Sequence, residues 1–305
     1  MAARRNAIAL THEDRIVNAT STIVAVALMI LTVYPIYYVF IYAFSDGQAA
    51  MARQIYIWPA APTLENFREV FRDNSLTDSF MMNVYRVAAA VGSGVLFTAF
   101  SAYALTREDL IGRKVYSMIA LFTMYFGGGL IPTFLLFLKL RIVNSFWVYV
   151  LPGLLSVYNM MLCMAFFREI PTSLIESARL DGAGERHIFF MIMLPLSMPI
   201  LATLSLFVGV GAWNDWFTSA YFVTNKKLMT LPTILMRAIG KAAAEQRAMQ
   251  RAIESGVYHG SSSRGVTSTS IRYATMLVTI VPIMCIYPFL QKYFVKGVMI
   301  GAIKA

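Results

Sequence analysis

The chain has 305 residues, of which 58% are hydrophobic and 14% are charged. Soluble domains average about 45–50% apolar and about 25% charged residues, so the composition argues against a soluble enzyme or a disordered segment. With two cysteines it also argues against a disulfide-bonded secreted scaffold. The apolar surplus must face lipid. The net charge of +10 then bears on loop orientation and not on a nucleic-acid partner.

Six apolar stretches are long enough to cross a bilayer, because a helix rising ~1.5 Å per residue needs ~20 apolar residues to do so. They are residues 17–44, 80–105, 115–138, 146–167, 188–212 and 273–294. The sequence therefore predicts an all-α polytopic membrane protein, with a transmembrane domain over 17–294. Residues 1–16 form a predicted N-terminal tail and residues 295–305 a predicted C-terminal tail.

Basic residues in short segments indicate the orientation. Arg107, Arg113 and Lys114 lie in the loop between the second and third stretches, and both tails are also basic. The positive-inside tendency places these segments in the cytoplasm. Lys139 and Arg141, in the third short loop, oppose it. The balance predicts an N-in/C-in topology.

Two connecting segments, residues 46–79 and 213–270, are longer than turns. In the first, Asn66, Phe67 and Phe71 indicate a short helix. In the second, which becomes an outer loop, residues 241–256 favour a helix and residues 260–270 a flexible linker. Basic residues of this outer loop outnumber acidic ones: Lys226, Lys227, Arg237, Lys241, Arg247, Arg251 and Arg264 against Asp215, Glu245 and Glu254. Its basic surface suits an acidic binding protein, an anionic glycan or lipid headgroups.

The sequence lacks the patterns of the common catalytic sites. GxxxxGK[ST], HExxH, CxxC and GxSxG are all missing. The three histidines are scattered over a tail and two loops, which predicts no metal site. Carboxylates are missing from the centres of the apolar stretches, which argues against a proton-driven carrier and an intramembrane enzyme. We predict no catalytic residue.

Residues 168–187, between the fourth and fifth stretches, are too polar for their surroundings. Ser173 and Glu176 have the spacing of a reciprocal capping box, and Leu174, Ile175 and Ala178 form a small apolar face. Gly182 favours a left-handed exit from the helix. This short helix suits either a socket on another protein or a layer of lipid headgroups.

This segment resembles the EAA loop of binding-protein-dependent ABC importer permeases. The resemblance is carried by Glu176-Ser177-Ala178, Asp181-Gly182-Ala183, Ile192 and Leu194-Pro195, with Ser177 where the pattern favours alanine. Further segments resemble the carbohydrate-uptake, maltose-permease-like branch, and most of all its polysaccharide and alginate subgroup. They are LENF (64–67), SAYALTREDLIGRK (101–114), GGGLIPTFLL (127–136), GVGAWNDWF (209–217) and YPFLQKYFVKGVMIGAIKA (287–305).

The resemblance implies a type I ABC importer permease fold in a bacterial inner membrane. It implies as partners a second homologous permease, two ATP-binding subunits, an extracytoplasmic solute-binding protein and an oligosaccharide, with an acidic sugar of the alginate type as one candidate. ATP and Mg would be bound by the partner subunits, and this chain would hold no cofactor. The polar helix would be the coupling helix, whose predicted contacts with the ATPase subunit are Glu176, Ser177, Ala178, Asp181 and Gly182.

Polar and aromatic residues in or near the apolar stretches are candidates for the translocation path. They are Arg86, Tyr125, Asn159, Trp213, Asn214 and Asp215. The alternatives are aromatic anchoring at the membrane interface, hydrogen bonding between helices and, for Arg86, a side chain that snorkels outward. A secondary carrier or channel that works without ATPase subunits is the rival function.

Overall fold

The computed structural model describes residues 12–53, 55–72, 74–255 and 265–302. Apart from one isolated β-bridge between Ser45 and Pro62, all regular secondary structure in these residues is helical, which confirms the all-α prediction. The α-helices are α1 (His12–Ala43), α2 (Gly47–Ala52), α3 (Glu65–Arg72), α4 (Asn74–Thr106), α5 (Arg113–Tyr125), α6 (Leu130–Lys139), α7 (Val157–Arg168), α8 (Thr172–Leu180), α9 (Glu185–His187), α10 (Leu194–Leu196), α11 (Met198–Asn214), α12 (Phe217–Phe222), α13 (Leu231–Glu254) and α14 (Ser268–Ala302). Shorter 3₁₀ turns and one π-helix (Ile188–Met193) join some of them.

Three of the predicted stretches fall in single long helices. The segments Glu13–Ala43, Ser75–Thr106 and Ser268–Ile286 are each apolar and long enough to span a membrane. Each helix is longer than predicted. In particular, α14 continues past residue 294 to Ala302, and residues 268–270 of the predicted linker form its first turn.

The other three predicted stretches are bent. Residues 115–138 form α5 and α6, which meet at 120°, and the 3₁₀ turns of 146–153 meet α7 at 47°. The segment 185–196 meets α11 at 79°. Glycine and proline account for these breaks, because Gly129 has a φ of 80° and prolines interrupt backbone hydrogen bonding. The described helices therefore give three spans, or up to six if each bent pair is one span.

Contacts divide the chain into two compact units, and the first comprises Met1–Val70 with Ala252–Leu277. The predicted short helix near Asn66 is confirmed as α3. The buried Asn66 side chain donates hydrogen bonds to the carbonyl oxygens of Ala43 (2.9 Å) and Ser45 (2.7 Å). These bonds satisfy carbonyl groups at the C-terminal end of α1, where a helix has no partners of its own.

The second unit comprises Phe71–Arg251 with Val278–Ala305, and α4 is its central helix, packed against α7 and α11. Ala99 and Ala102 of α4 are fully buried, and small residues such as these allow helices to approach closely in membranes. The core also includes residues that follow α8 in the chain. Its buried members are Ala99, Ala102, Tyr103, Leu105, Met160, Cys163, Met164, Phe167, Ile170, Ile188, Phe189, Met193 and Leu204.

Leu204 tests the importance of this core, because its side chain is 0% exposed between packed helices. Leu204→Ala would leave a cavity, and we expect it to lower the free energy of unfolding by about 2–5 kcal/mol. Thermal unfolding in detergent measures the effect. Leu196→Ala, which makes the same change at an exposed position, serves as the control. Equal melting temperatures for the two variants would contradict the packing described here.

Candidate functional site

Helix α8, the predicted coupling helix, has one face on the protein core and one face exposed. Ile175 and Ala178, three residues apart and therefore neighbours on one helix face, pack against the core of the second unit. Leu174 was predicted to share this apolar face, but it is exposed. Glu176, Ser177 and Asp181 are also exposed. One face of α8 therefore packs on the protein core, and the predicted contact residues are exposed, except Ala178.

The predicted capping box is wrong. Helix α8 begins at Thr172 after Pro171, and no side chain caps its first turn. Ser173 is already inside the helix, so its hydroxyl is not in the position that an N-cap residue occupies. Glu176 is consequently an exposed carboxylate on the outer face of the helix.

The predicted left-handed exit at Gly182 is confirmed. Gly182 has a φ of 83°, and its N–H donates to the carbonyl of Arg179 (3.0 Å). The N–H of Ala183 donates to the carbonyl of Ala178 (2.9 Å), which completes a Schellman ending. Both alanines pack against the same core, so the turn is fixed by hydrogen bonds and by apolar contact.

Sequence reasoning missed Glu185, which joins α8 to the end of α4. One carboxylate oxygen, Oε2, accepts a hydrogen bond from the Tyr103 hydroxyl (2.5 Å). The other, Oε1, accepts from Arg107 (3.2 Å) and from Arg179, whose Nη2 is 2.6 Å away. Tyr103 and Arg107 lie about 80 residues away in sequence, so no local pattern could have indicated the cluster. In the sequence, Glu185 is one of several charged residues in the polar segment 168–187.

The chain leaves this cluster through an irregular segment. A π-helix, Ile188–Met193, follows α9 directly, and Ile188, Phe189 and Met193 are buried in the core. π-Helical turns are frequent at functional sites. A three-residue helix and the 79° bend near Ser197 then lead into α11. The predicted fifth stretch is therefore one uninterrupted apolar segment in the sequence, but its backbone does not form one straight helix.

A second polar site joins α4 to the residue that follows α11. Arg86 is 3% exposed, and it pairs with Asp215 through a carboxylate oxygen and through the backbone carbonyl, 2.8 Å from Nη1. Its guanidinium carbon lies 4.5 Å from the ring centroid of Tyr149, a favourable cation–π distance. Arg86 therefore does not snorkel outward, and its charge is paired with Asp215, while its place on the translocation path stays a prediction.

The carboxylate of Asp215 is held in its charged form. Burial raises its pKa, but hydrogen bonds from Thr218 and the charge of Arg86 lower it by more, so the net pKa lies below the usual value. The Thr218 hydroxyl donates to Asp215 at 2.6 Å. Because the folded-state pKa is lowered, the pair stabilises the fold at neutral pH. That stabilisation is lost only as the pH falls through the lowered pKa.

The other predicted path residues do not form one cluster. Trp213 is buried, and its indole N–H donates a hydrogen bond to the Thr279 carbonyl (3.2 Å). The backbone carbonyl of Trp213 accepts a hydrogen bond from the Asn83 side chain (3.4 Å), and Asn83 lies one helical turn before Arg86 in α4. Asn159 is buried at the start of α7, Asn214 is exposed, and Tyr125 is 75% exposed beside the break between α5 and α6. The structure thus brings Arg86, Trp213 and Asp215 together, and the path itself stays a prediction.

Trp213 also lines a pocket of about 240 Å³ in the second unit. Its walls are apolar and come from α4, α11 and α14, with Val87, Val91, Gly209 and Ile283 among them. No group of three or more metal-binding side chains occurs in the part of the chain that the structure describes. The expectation that the chain binds no metal stays a prediction.

The chain belongs to the family described as the binding-protein-dependent transport system inner membrane component, whose sequence profile matches residues 7–300. Its fold is that of a type I ABC importer permease. It closely resembles a chain in the crystal structure of a bacterial ABC transporter involved in the import of the acidic polysaccharide alginate. The TM-score is 0.83 with 25% sequence identity, over 93% of this chain and 98% of that one.

Two curated relatives are permease proteins of sugar transport systems. The polygalacturonan/rhamnogalacturonan transport system permease protein YtcP of Bacillus subtilis is 31% identical over 90% of this chain and 93% of its own length. The arabinooligosaccharides transport system permease protein AraQ of Halalkalibacterium halodurans is 28% identical over 81% of each chain.

The chain is therefore a non-catalytic permease subunit of an ABC importer in the inner membrane. Such a subunit works with a partner permease, ATPase subunits and a solute-binding protein.

The Arg86–Asp215 pair predicts a non-additive response to mutation. Arg86→Met leaves a partly buried carboxylate without its counter-charge, and we expect a cost of about 3–5 kcal/mol in unfolding free energy. In the double variant Arg86→Met/Asp215→Leu no charge is left unpaired, so part of that stability returns. Thermal unfolding in detergent compares four proteins: the unmodified chain, Arg86→Met, Asp215→Leu and the double variant. A double variant as unstable as the sum of its single variants would show that the two residues act independently.

Proposed function

We propose that this permease imports oligosaccharides, and that acidic oligosaccharides are its preferred class. The observation that carries this proposal is the likeness, over nearly the whole of both chains, to a subunit of the alginate importer. The relative named for polygalacturonan and rhamnogalacturonan supports the same class. ATPase activity of the reconstituted complex, compared between uronic-acid and neutral oligomers, tests this choice directly.

We further infer that the chain crosses the membrane six times with both ends in the cytoplasm. Three long helices and three bent pairs supply six candidate crossings. Arg107, which directly follows α4, contacts Glu185, which follows α8. The second–third and fourth–fifth connections therefore lie on the same side, as alternating crossings require. The positive-inside tendency of the basic residues near Arg107 supports a cytoplasmic location for that side.

In the proposed mechanism, α8 sits in a cleft of one of two ATPase subunits. ATP and Mg bind to those subunits, and the closure of the ATPase pair moves α8 together with its counterpart in the partner permease. The exposed residues Glu176, Ser177 and Asp181 make the contact, and Gly182 allows the chain to turn back into the membrane. The ATPase pair shifts the permease only because it binds the two states with different affinity.

The predicted path residues divide by exposure. Tyr125 and Asn214 have exposed side chains that can stack on a sugar face or hydrogen-bond to its hydroxyls in the present arrangement. Arg86, Asn159 and Trp213 are buried and would act on the path by fixing neighbouring elements. Asp215 belongs with this second group through its pairing with Arg86.

Glu176→Lys tests the coupling role of α8. It reverses one charge on the outer face of the helix without disturbing the buried face, so we expect the ATPase subunit to be lost on co-purification, or substrate-stimulated ATP hydrolysis to disappear. Glu108→Lys, an equally exposed reversal in the loop after α4, is the control. Normal co-purification and coupling in Glu176→Lys would remove the proposed contact.

A basic face of α13 gives a second test. Arg237, Lys241, Arg247 and Arg251 are all exposed and fall within an arc of about 120° on a helix of 3.6 residues per turn. The helix begins at Leu231, ten residues before the predicted start, and carries this face over most of its length. We propose that it receives an anionic partner on the outer side.

Reversing Lys241, Arg247 and Arg251 to Glu should reduce transport more at low salt than at high salt, because salt screens exposed charges. Uptake into proteoliposomes at two ionic strengths measures this. Lys226→Glu/Lys227→Glu changes charge in the same segment but outside α13 and serves as the control. If only acidic sugars are affected, the partner is the glycan, whereas an effect on neutral sugars as well indicates the binding protein. Equal losses at both salt concentrations would contradict an electrostatic role.

A further inference from the structure

The contacts of Glu185 connect three separate elements. Its carboxylate is held by Tyr103 near the end of α4, by Arg107 just after α4, and by Arg179 in α8. Glu185 itself opens α9, on the far side of the turn at Gly182. A single carboxylate therefore ties the predicted coupling helix to the central helix of the second unit.

The backbone that connects α8 to α11 is irregular, so it can deform more easily than the side-chain contacts between α8 and α4. After the hydrogen-bonded turn at Gly182, it passes through Gly184, a π-helix, a three-residue helix and a 79° bend. Each break in regular hydrogen bonding gives the backbone a place to deform. Displacement of α8 along this route would be absorbed before it reached α11.

Helix α4 offers a stiffer route. It is one continuous helix from Asn74 to Thr106, and the 17 residues between Arg86 and Tyr103 correspond to roughly 26 Å at ~1.5 Å per residue. Polar junctions lie at the two limits of this stretch of α4: the Glu185 cluster at Tyr103 and the Arg86–Asp215 pair at Arg86. A displacement at Glu185 is therefore transmitted to the residues beside Trp213 through one continuous helix, α4.

The ion pairs of Glu185 are partly exposed to solvent and can break and re-form, whereas Arg86 is buried in its pair with Asp215. The side chains of Glu185 and Arg179 are 51% and 44% exposed, and that of Arg107 is 17% exposed. The cluster borders an open groove of about 560 Å³, with Phe190 and Ile111 among its other walls. Exposed ion pairs are weak individually, so this junction can loosen in one state of the transporter and tighten in another.

We propose that Glu185 is a positioning residue of the transport cycle: it latches α8 to α4, so that movement of the coupling helix is transmitted along α4 to the Arg86–Asp215 pair. This inference rests on the proposed coupling role of α8. It assigns Glu185 no contact with ATP, sugar or the ATPase subunit. Losing the latch should therefore uncouple ATP hydrolysis from transport without releasing the ATPase subunit.

The test measures ATP hydrolysed per sugar imported by the complete transporter in proteoliposomes. For Glu185→Ala we expect this ratio to rise about fivefold or more, at the lower end of typical coupling between sites, with normal ATPase co-purification. Glu185→Gln should give a smaller rise, because its amide can still bond Tyr103 but cannot pair with two arginines. Glu108→Gln, the same change at an exposed neighbour of Arg107, should leave the ratio unchanged.

Tyr103→Phe keeps the buried ring and removes only the hydroxyl, so it decides the question if Glu185→Ala does not fold. A raised ratio supports the latch, and an unchanged ratio in the folded variants overturns it. Loss of ATPase co-purification in Glu185→Ala also overturns it, because Glu185 would then belong to the docking surface. Failure of the proposed function is a separate result: the unmodified complex would then hold no ATPase subunit at α8.

Discussion

The hydrocarbon interior of a membrane offers no hydrogen-bond partner, and the end of a helix leaves backbone groups unpaired, so the chain supplies partners for both from its own residues. Arg86 is tolerated deep in α4 because Asp215 and the face of Tyr149 neutralise and cover it. Asn66 supplies donors to two carbonyl groups where α1 ends. The ending of α8 at Gly182 returns its last carbonyls to backbone N–H groups. The buried charge and the two helix ends thus each have hydrogen-bond partners within the protein.

The two ion-pair sites on α4 differ in a way that matters for function. A buried charge is costly to leave alone, so the pair of Arg86 and Asp215 fixes the position of the segment after α11. The contacts of Glu185 are shared with water and contribute little individually. The same helix therefore carries one permanent junction and one that can be remade during a cycle.

Much of the fold was predictable because it follows from local composition. Apolar length predicted the six stretches, and Gly182 predicted a left-handed turn because few other residues adopt a positive φ. The capping box failed because Pro171 fixes where the helix begins, and this leaves Ser173 inside it. Three stretches are bent where glycine or proline lies nearby, but the angles depend on packing with other helices, and Pro35, Pro282 and Pro288 lie inside single helices. The partners of Glu185 and Arg86 lie far away in sequence, so neither site could be predicted from the residues around it.

The π-helix after α9 sets a rule for how this region can vary. Such a turn holds one more residue than the α-helical turn it replaces, and each residue of an α-helix advances the side-chain direction by about 100°. If Ile188–Met193 were wound as a regular α-helix with no change in length, everything before it would rotate by about that angle. Glu185 would then face away from Tyr103 while α11 stayed in place. The extra residue of the π-turn therefore keeps Glu185 facing Tyr103, and in related sequences a segment one residue shorter should accompany a regular α-helix at this point.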